Sequence, residues 1–513
     1  MPGYSRRQFL GAGMAGLAGA ALSGSLAGLA RAAAPRSAKR NVLFIAVDDL
    51  KPNLGCYGDP IAKSPNLDRL AAKGLVFTRA YCQQAVCSPS RTSLLTGLRP
   101  DTTKVYDLET HFRNTIPNVV TLPEQFKKHG WHTQGLSKIY HGGLDDALSW
   151  SVPHWTPKAR GYGSPEGQAI VARLLAEAAK TDKPAKRAKA GKKAKSAASL
   201  VRGLPWEAAD VADNTFADGA TADHAIEVLR EVKDRSFFLA VGFLKPHLPF
   251  VAPKKYWDLY DSEKFKFAEY RIAPKDCPPI AMSNWGELRA YYGIPKAGPL
   301  SPEQERHMLH GYYAAASYMD AQLGRVLDEL DRLGLADNTV IVLWGDHGWH
   351  LGDHGLWCKH TNFEQATRAP LLLSVPGQKT AGQKRDALVE FVDICPTLLD
   401  LCGVPLMENL EGCSFKPLVE TPNRPWKKAA FSQYPRPNPA TGGLMGYTMR
   451  TERYRLTEWR ARNGGSVFDC ELYDYQTDPQ ETVNIVNRPE NAELVKNLAQ
   501  LLHDGWRGAL PPT

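Results

Sequence analysis

Beyond about residue 34 the chain has no run apolar and long enough to cross a bilayer, which excludes a multi-span membrane protein. Its nine cysteines, at 56, 82, 87, 277, 358, 395, 402, 413 and 470, include no CxxC pair and no dense framework. A CxxC zinc site and a disulfide-built scaffold are thereby excluded, although the spacing permits a Cys402–Cys413 pair. Strong charge is also missing from the body of the chain. The net charge of +9 comes largely from Lys180 to Lys195, KTDKPAKRAKAGKKAK, where eight basic residues face Asp182 alone, and from the N-terminal region. Residues 180–198 read as a solvated, disordered Lys/Ala-rich insertion, with adhesion to an acidic polymer as the alternative, and no nucleic-acid partner is expected.

The N-terminus is of a different kind. Ser5-Arg6-Arg7-Gln8-Phe9-Leu10 precedes a Gly/Ala-rich, charge-free run, and Ala32-Ala33-Ala34 offers a small-residue cleavage site. Residues 1–34 therefore read as a twin-arginine signal peptide, which implies the twin-arginine translocase as a partner and a periplasmic or secreted product. A single membrane anchor is the alternative reading of the same run.

Asn41-Val-Leu-Phe-Ile-Ala-Val47 is a continuous branched apolar run, as expected of a parallel strand buried on both faces, and it stops at Asp48-Asp49. Thr339 to Trp344 repeats the pattern and runs into Gly345-Asp346-His347. Ser236 to Val241 leads to Lys245-Pro246-His247, and His132 to Leu136 leads to Lys138 and His141. Ligands of open α/β sheets bind outside the carboxyl ends of the strands, so the four polar clusters converge on one cleft. Helical spacing over Pro65–Lys73, His307–Leu330 and Leu388–Leu401, and a further apolar strand over Pro370–Val375, predict a mostly parallel sheet between helices. Asp48 and Asp49 repel one another unless a cation lies between them, and aspartate oxygens point to Ca²⁺ or Mg²⁺. His347 is an awkward ligand for a hard cation and reads equally as a supporting residue.

Cys87 heads the stretch CSPSRTSLLTG, in which Ser88 reads as a helix cap and Pro89 as the first helical residue. Its side chain would face backbone N–H groups and the positive end of the helix dipole, where negative charge is favoured; the bland alternative is a small buried hydrophobe.

These residues resemble the type I, formylglycine-dependent sulfatases, through the pattern Cys87-x-Pro89-x-Arg91-x-x-x-Leu95-Thr96-Gly97. The resemblance runs from about Asn41 into the last hundred residues. In NVLFIAVDDLKPNLGCYGD, QQAVCSPSRTSLLTGLRPDTTKVYD, FFLAVGFLKPHLPF, DHGWHLGDHGLWCKHTNFE and FSQYPRP it points to the iduronate-2-sulfatase branch. It implies an alkaline-phosphatase-like fold: a catalytic domain over 38–438 and a smaller C-terminal α+β subdomain with antiparallel strands over 439–513. It further implies a calcium ion held by Asp48, Asp49, Asp346, His347 and the residue at 87, with Cys87 converted to formylglycine by a formylglycine-generating or equivalent maturing enzyme. Arg91 would orient the hydrated aldehyde, and Lys138, His141, His247 and Lys359 would surround the sulfate. His247 would protonate the departing sugar oxygen, and His141 would take a proton from the second hydroxyl. The implied reaction is hydrolysis of a sulfate ester on a sulfated oligosaccharide, exo-acting on a 2-O-sulfated uronic acid, as in glycosaminoglycan degradation.

Alternatives stand beside this. Another sulfated polysaccharide is one, and a phosphomonoester or phosphonate hydrolase of the same superfamily is another, although those enzymes usually carry Thr or Ser where Cys87 stands. A Cys-dependent phosphatase would need a C-x5-R loop, and Arg91 is at the wrong spacing. A sulfated-polysaccharide binding protein with a dead site is the non-enzymatic reading. Tyr106-Asp107 and the Cys358–Glu364 loop are expected to shape specificity, Lys245 to support His247, and Trp349 to wall the sugar pocket or sit in the core. In the C-terminal part, Met445–Trp459 predicts two strands and Asn491–Trp506 an amphipathic helix.

Overall fold

A computed structural model describes residues 39–181, 200–421, 424–462 and 465–512. The expected signal peptide, and the Lys/Ala-rich insertion beyond Thr181, lie outside the described residues; Lys180 and Thr181 end the helix Pro165–Thr181.

Seven strands build the central sheet: β1 (Asn41–Val47), β2 (Leu75–Phe77), β3 (His132–Ser137), β4 (Phe237–Phe243), β5 (Thr339–Gly345), β6 (Leu371–Ser374) and β7 (Gln383–Arg385). Their order is β7-β2-β6-β5-β1-β4-β3. The four strands whose ends carry the polar clusters, β3-β4-β1-β5, are adjacent and mutually parallel. Alternation along β1 and β5 sends Val42, Phe44, Val342 and Trp344 to one face, and Leu43, Ile45, Ile341 and Leu343 to the other. Each face is roofed by helices, so both side-chain rows are buried, and burying each large apolar chain contributes about 1.5–3 kcal/mol. On the second face lie α1 (Pro65–Lys73), α3 (Ala217–Val232) and α4 (Pro302–Arg332). On the first lie α2 (Cys87–Thr96) and α5 (Ile394–Cys402).

Three local expectations change. The apolar strand after residue 370 runs antiparallel to both neighbours, so the sheet is mixed with one reversed strand. The stretch 388–401 is helical only from Ile394. Val389–Glu390 is a short strand, and the Glu390–Asp393 pair caps the turn that follows. α2 begins at Cys87 itself with Val86 as its cap residue, so Ser88 and Pro89 lie inside the first turn and no side chain caps the helix. The helix leaves at Gly97, whose φ of 70° is the left-handed conformation that glycine adopts without a Cβ clash.

A second sheet holds β8 (Ala429–Arg436), β9 (Leu444–Thr451), β10 (Tyr454–Ala461) and β11 (Val467–Asp474), all antiparallel in sequence order. The helix α6 (Ala492–Gly508) packs Leu498 and Leu502 against Met449, Leu456 and Leu472 of this sheet. β8 begins ahead of the 438/439 boundary expected for the C-terminal part, and Lys39–Thr513 forms one compact unit. All nine cysteines are free thiols, so Cys402 and Cys413 are not paired. Among the described residues no helix is long and apolar enough to cross a membrane.

Candidate active site

The ends of β1, β4 and β5 are knitted together before any side chain is considered. Asp48 N–H donates to the Phe243 carbonyl at 3.1 Å, and Asp346 N–H donates to that of Val47 at 3.0 Å. Asp49 adopts a φ of 60°, a conformation that few non-glycine residues take, and its N–H donates to Asp346 Oδ1 at 3.0 Å. β3 enters the same cluster because Gly242 leaves room: a Cβ there would lie 2.3 Å from the Lys138 backbone. Lys138 Nζ thereby reaches Asp48 Oδ2 at 2.9 Å.

Cys87 is buried at the floor of the cluster, its Sγ 3.3 Å from Asp48 Oδ1 and 3.4 Å from His347 Nε2. Burial, reinforced by Asp48 and Asp346, pushes the thiol well above its ordinary range. Arg91, one helical turn later, is fully enclosed. It donates through Nε to Asp346 Oδ2 at 2.8 Å, through Nη2 to Asp48 Oδ1 at 3.3 Å, and through Nη1 to the Lys138 and Ile139 carbonyls. Its place is thus beneath the carboxylates, which it orients. Burial alone would raise Asp48, but Lys138, His247 and Arg91 outweigh it and hold this carboxyl well below the usual range. Asp49 moves the other way: burial prevails over Lys359 and His247 and raises its pKa.

Lys359 Nζ stands 3.0 Å from Asp49 Oδ2 and 2.8 Å from Glu287 Oε2. His247 Nε2 lies 3.1 Å from Glu287 Oε1 and 3.8 Å from Asp49 Oδ2, while its Nδ1 faces the Leu248 carbonyl at 2.6 Å. Burial disfavours charge on His247, but Asp49, Asp48 and Glu287 overcome this and raise its pKa. Lys245 donates to the His247 and Pro249 carbonyls at 3.0 and 2.6 Å, and so braces this loop as expected. His141 makes none of these bonds. Its Nδ1 is buried without a partner, and burial together with Lys138 lowers its pKa to about 3, leaving a neutral ring. A cavity of about 570 Å³ opens beside Lys138, His141 and His247.

Every expected site residue is therefore in or beside one cluster. Glu287 is the participant that sequence reading missed: it sits on the short helix Gly286–Arg289, which has no periodic pattern to announce it. Two specificity expectations change, and Trp349 takes the core position of its two alternatives. Trp349 is fully buried against Phe250, with Lys359 Nζ 4.7 Å above its ring. Tyr106 bonds Asp101 at 2.9 Å and is not a lining residue of the catalytic cavity. In the Cys358–Glu364 loop, Lys359 enters the site, but Glu364 turns away to Tyr81 and to Arg450 and Arg455 of the C-terminal sheet.

The donor set fits a hard divalent cation. Donor atoms of Asp48, Cys87, Asp346 and His347 lie within 4.8 Å of one another. His347 Nδ1 faces the Gly348 carbonyl at 3.0 Å, which assigns the proton to Nδ1 and turns the Nε2 lone pair toward Asp49 and Asp346, at 3.3 and 3.5 Å. Three fully buried aspartates meeting at one point require positive charge there.

Comparison with known proteins agrees with this geometry. The sulfatase family model matches residues 40–404, and a model described as N-sulphoglucosamine sulphohydrolase, C-terminal, matches 352–506. The chain is 35% identical to mouse iduronate 2-sulfatase, with 89% of this chain and 93% of that protein covered. It is 31% identical to a Formosa agariphila sulfatase, with 90% and 86% covered. Among solved structures, a protein in complex with its substrate D-glucosamine-2-N,6-O-disulfate superposes with a TM-score of 0.71 at 22% identity, covering 92% of this chain and 98% of that one. The phosphonate monoester hydrolase of Agrobacterium radiobacter does so with a TM-score of 0.71 at 23% identity, covering 91% and 95%. The chain belongs to the sulfatase family and is an enzyme that hydrolyses sulfate esters.

Proposed function

We propose that the enzyme removes sulfate from a sulfated oligosaccharide, acting on a terminal 2-O-sulfated uronic acid through formylglycine made from Cys87. Asp48, Asp49, Asp346 and His347, with residue 87, would hold Ca²⁺. The observation that carries this reading is the burial of Cys87 against Asp48 and His347 within a cluster of carboxylates and cations. The similarity to proteins named iduronate 2-sulfatase supports the sugar and the position.

A thiol attacking sulfur would end as a thiosulfate with no internal route to release. Formylglycine, once hydrated, would supply an oxygen nucleophile and a second hydroxyl whose deprotonation expels sulfate, and a cation held by Asp48, Asp49, Asp346 and His347 would polarise the sulfate oxygens. The rest falls to the side chains. Lys138 and Lys359 flank the carboxylates and present ammonium charge to an anionic ester. Arg91 holds Asp48 and Asp346 in register. His247 offers its Nε2 proton to the leaving sugar oxygen, and His141, a neutral ring with an unpartnered Nδ1, accepts one. The barrier lowering required is near the top of the enzymatic range, about 23 kcal/mol, and one preorganised donor supplies about 3–4 kcal/mol, so several cationic groups must act together.

The twin-arginine segment supports a site of action outside the cytoplasm, in the periplasm or beyond. Because that route carries folded proteins, conversion of Cys87 by its maturing enzyme would precede export. Replacing Arg6 and Arg7 by Lys should leave converted enzyme inside the cell; normal export of that variant contradicts the route. The substrate is tested with protein of confirmed formylglycine content, offered a disaccharide ending in a 2-O-sulfated uronate and the same sugar sulfated elsewhere. Selective sulfate release from the first is expected. Equal release from both, or none from the first, overturns the uronate assignment.

A further inference from the structure

A second cavity, of about 490 Å³, lies between the end of α2, the strands β8 and β9, and the last turn of α6, and it shares no lining residue with the catalytic cavity. Two donors in its wall have no acceptor. Gln83 is 1% exposed; its Oε1 accepts from Val392 N–H at 3.0 Å, which fixes the amide orientation and leaves Nε2 buried and unbonded. Arg99 is 8% exposed and gives Nη1 and Nη2 to Glu390 at 2.7 and 2.9 Å, while its Nε is buried without a partner. Buried donors left unpaired are costly, and here two line one cavity.

The acidic groups of the wall do not fill that need, because protein donors already engage them. Asp101 accepts from Tyr106, Gln433 and Tyr447 at 2.9, 3.0 and 2.9 Å, and Glu411 accepts from Arg99 N–H and Thr102 at 2.6 and 2.7 Å. Aromatic surface completes the wall. α6 breaks at Gly505, where φ is 68°, and Trp506 comes to lie 5.4 Å from the Arg99 guanidinium, opposite Phe431 at 5.8 Å. Arg462, solvent-exposed, stacks over Tyr106 at the rim.

The exposed Arg462, the Trp506 indole and two unpaired donors buried behind the wall together match a sugar ring that carries an oxyanion: the ring lies on the aromatic face, and the sulfate or carboxylate meets the arginine at the rim. We propose that this cavity is a second, non-catalytic binding site for an anionic saccharide. The proposal rests on the reading that the substrate is a sulfated saccharide, and it adds a place where another such unit is held away from the reacting bond.

The test uses full-length protein carrying Cys87→Ala, so that nothing turns over, titrated by calorimetry with a heparin-derived tetrasaccharide, its chemically desulfated counterpart and inorganic sulfate. Two equivalents of the tetrasaccharide should bind. Trp506→Ala combined with Arg462→Ala should weaken one of them about tenfold or more, with unchanged unfolding midpoints, and Trp506→Phe should retain it. A single equivalent at the catalytic cavity, or a second unaffected by these substitutions, overturns the second site and leaves the substrate reading intact. Equal affinity for the desulfated sugar, or for sulfate alone, overturns the anionic-saccharide assignment. Binding at neither cavity overturns both.

Discussion

Two buried ionic networks in this molecule are built from the same side-chain types and differ in whether they are closed. In one, Glu390 and Asp393 face Arg99 and Lys427: Arg99 is bidentate on Glu390, and Lys427 reaches Glu390 at 2.8 Å and Asp393 at 2.6 Å. The same carboxylate oxygens also accept the Phe431, Cys413 and Glu390 N–H groups, so every acidic oxygen of this network is met by protein donors. In the other, Asp48, Asp49, Asp346 and Glu287 face Arg91, Lys138, Lys359 and His247, with His247 and Lys138 partly open to a cavity. The first network ties the short strand Val389–Glu390 and the turn after it to β8 of the C-terminal sheet. The second gathers donor atoms of Asp48, Cys87, Asp346 and His347 at one point and leaves cationic tips open to a cavity. Satisfied carboxylates mark the structural network here, and side chains open to a cavity mark the working one.

The largest expected effect separates activity from folding. Cys87→Ala should reduce kcat/KM for sulfate-ester hydrolysis by at least ~10⁴-fold with an unfolding midpoint close to the parent's, since the group lost belongs to the open network. Lys427→Met strikes the closed one. It leaves Glu390 and Asp393 short of a buried partner and should lower stability by about 3–5 kcal/mol in urea titration, while the folded fraction keeps its kcat. Lys138→Ala should raise the barrier by about 3–4 kcal/mol, a loss of 10²–10³ in kcat, and change stability by less than ~1 kcal/mol. If Lys138→Ala instead unfolds the protein as Lys427→Met does, the distinction between the networks fails.

Acid should attack the structural joints in a defined window. Burial alone would raise Glu364, but Arg455, Arg450 and Arg368 outweigh it and hold its pKa at about 2. A carboxylate depressed in the folded state contributes stability above its unfolded value, near 4.5, and loses it as pH falls through about 2. The contribution at neutral pH is about 3 kcal/mol, and Glu364→Gln should flatten the acid limb of the stability curve between those values. A smaller effect is expected from the metal. Chelation should lower the unfolding midpoint, and Ca²⁺ restored at a hundred times its dissociation constant should return about 2.7 kcal/mol. A midpoint indifferent to calcium would contradict the cation assigned to the open network.

Much of the site was legible because fully buried parallel strands read as unbroken apolar runs, and each such run ends where its chemistry begins. Asp48, Asp49, Asp346 and His347 could be placed on strand ends, and Lys138 and His247 just beyond them, before any coordinates were known. Strand direction was not legible for β6, since an apolar run of four residues carries no sign of its polarity. The start of α2 was displaced because Pro89 is tolerated anywhere in a first turn, where its missing N–H costs nothing. Glu287 had no signal at all: its single helical turn follows Trp285, at a φ of 41°, and its role exists only through Lys359 and His247, distant in the chain. Glu364 was misjudged because its partners, Tyr81, Arg450 and Arg455, come from elements that sequence does not juxtapose.

The central claim is that the open network works through a converted Cys87, and one measurement tests it directly. Preparations with graded formylglycine content, set by co-expression of a maturing enzyme and read from the mass of the peptide AYCQQAVCSPSR, are assayed for sulfate release from the 2-O-sulfated uronate disaccharide. The account predicts activity proportional to the converted fraction, extrapolating to zero at none. Full activity in protein whose Cys87 is entirely thiol would contradict it.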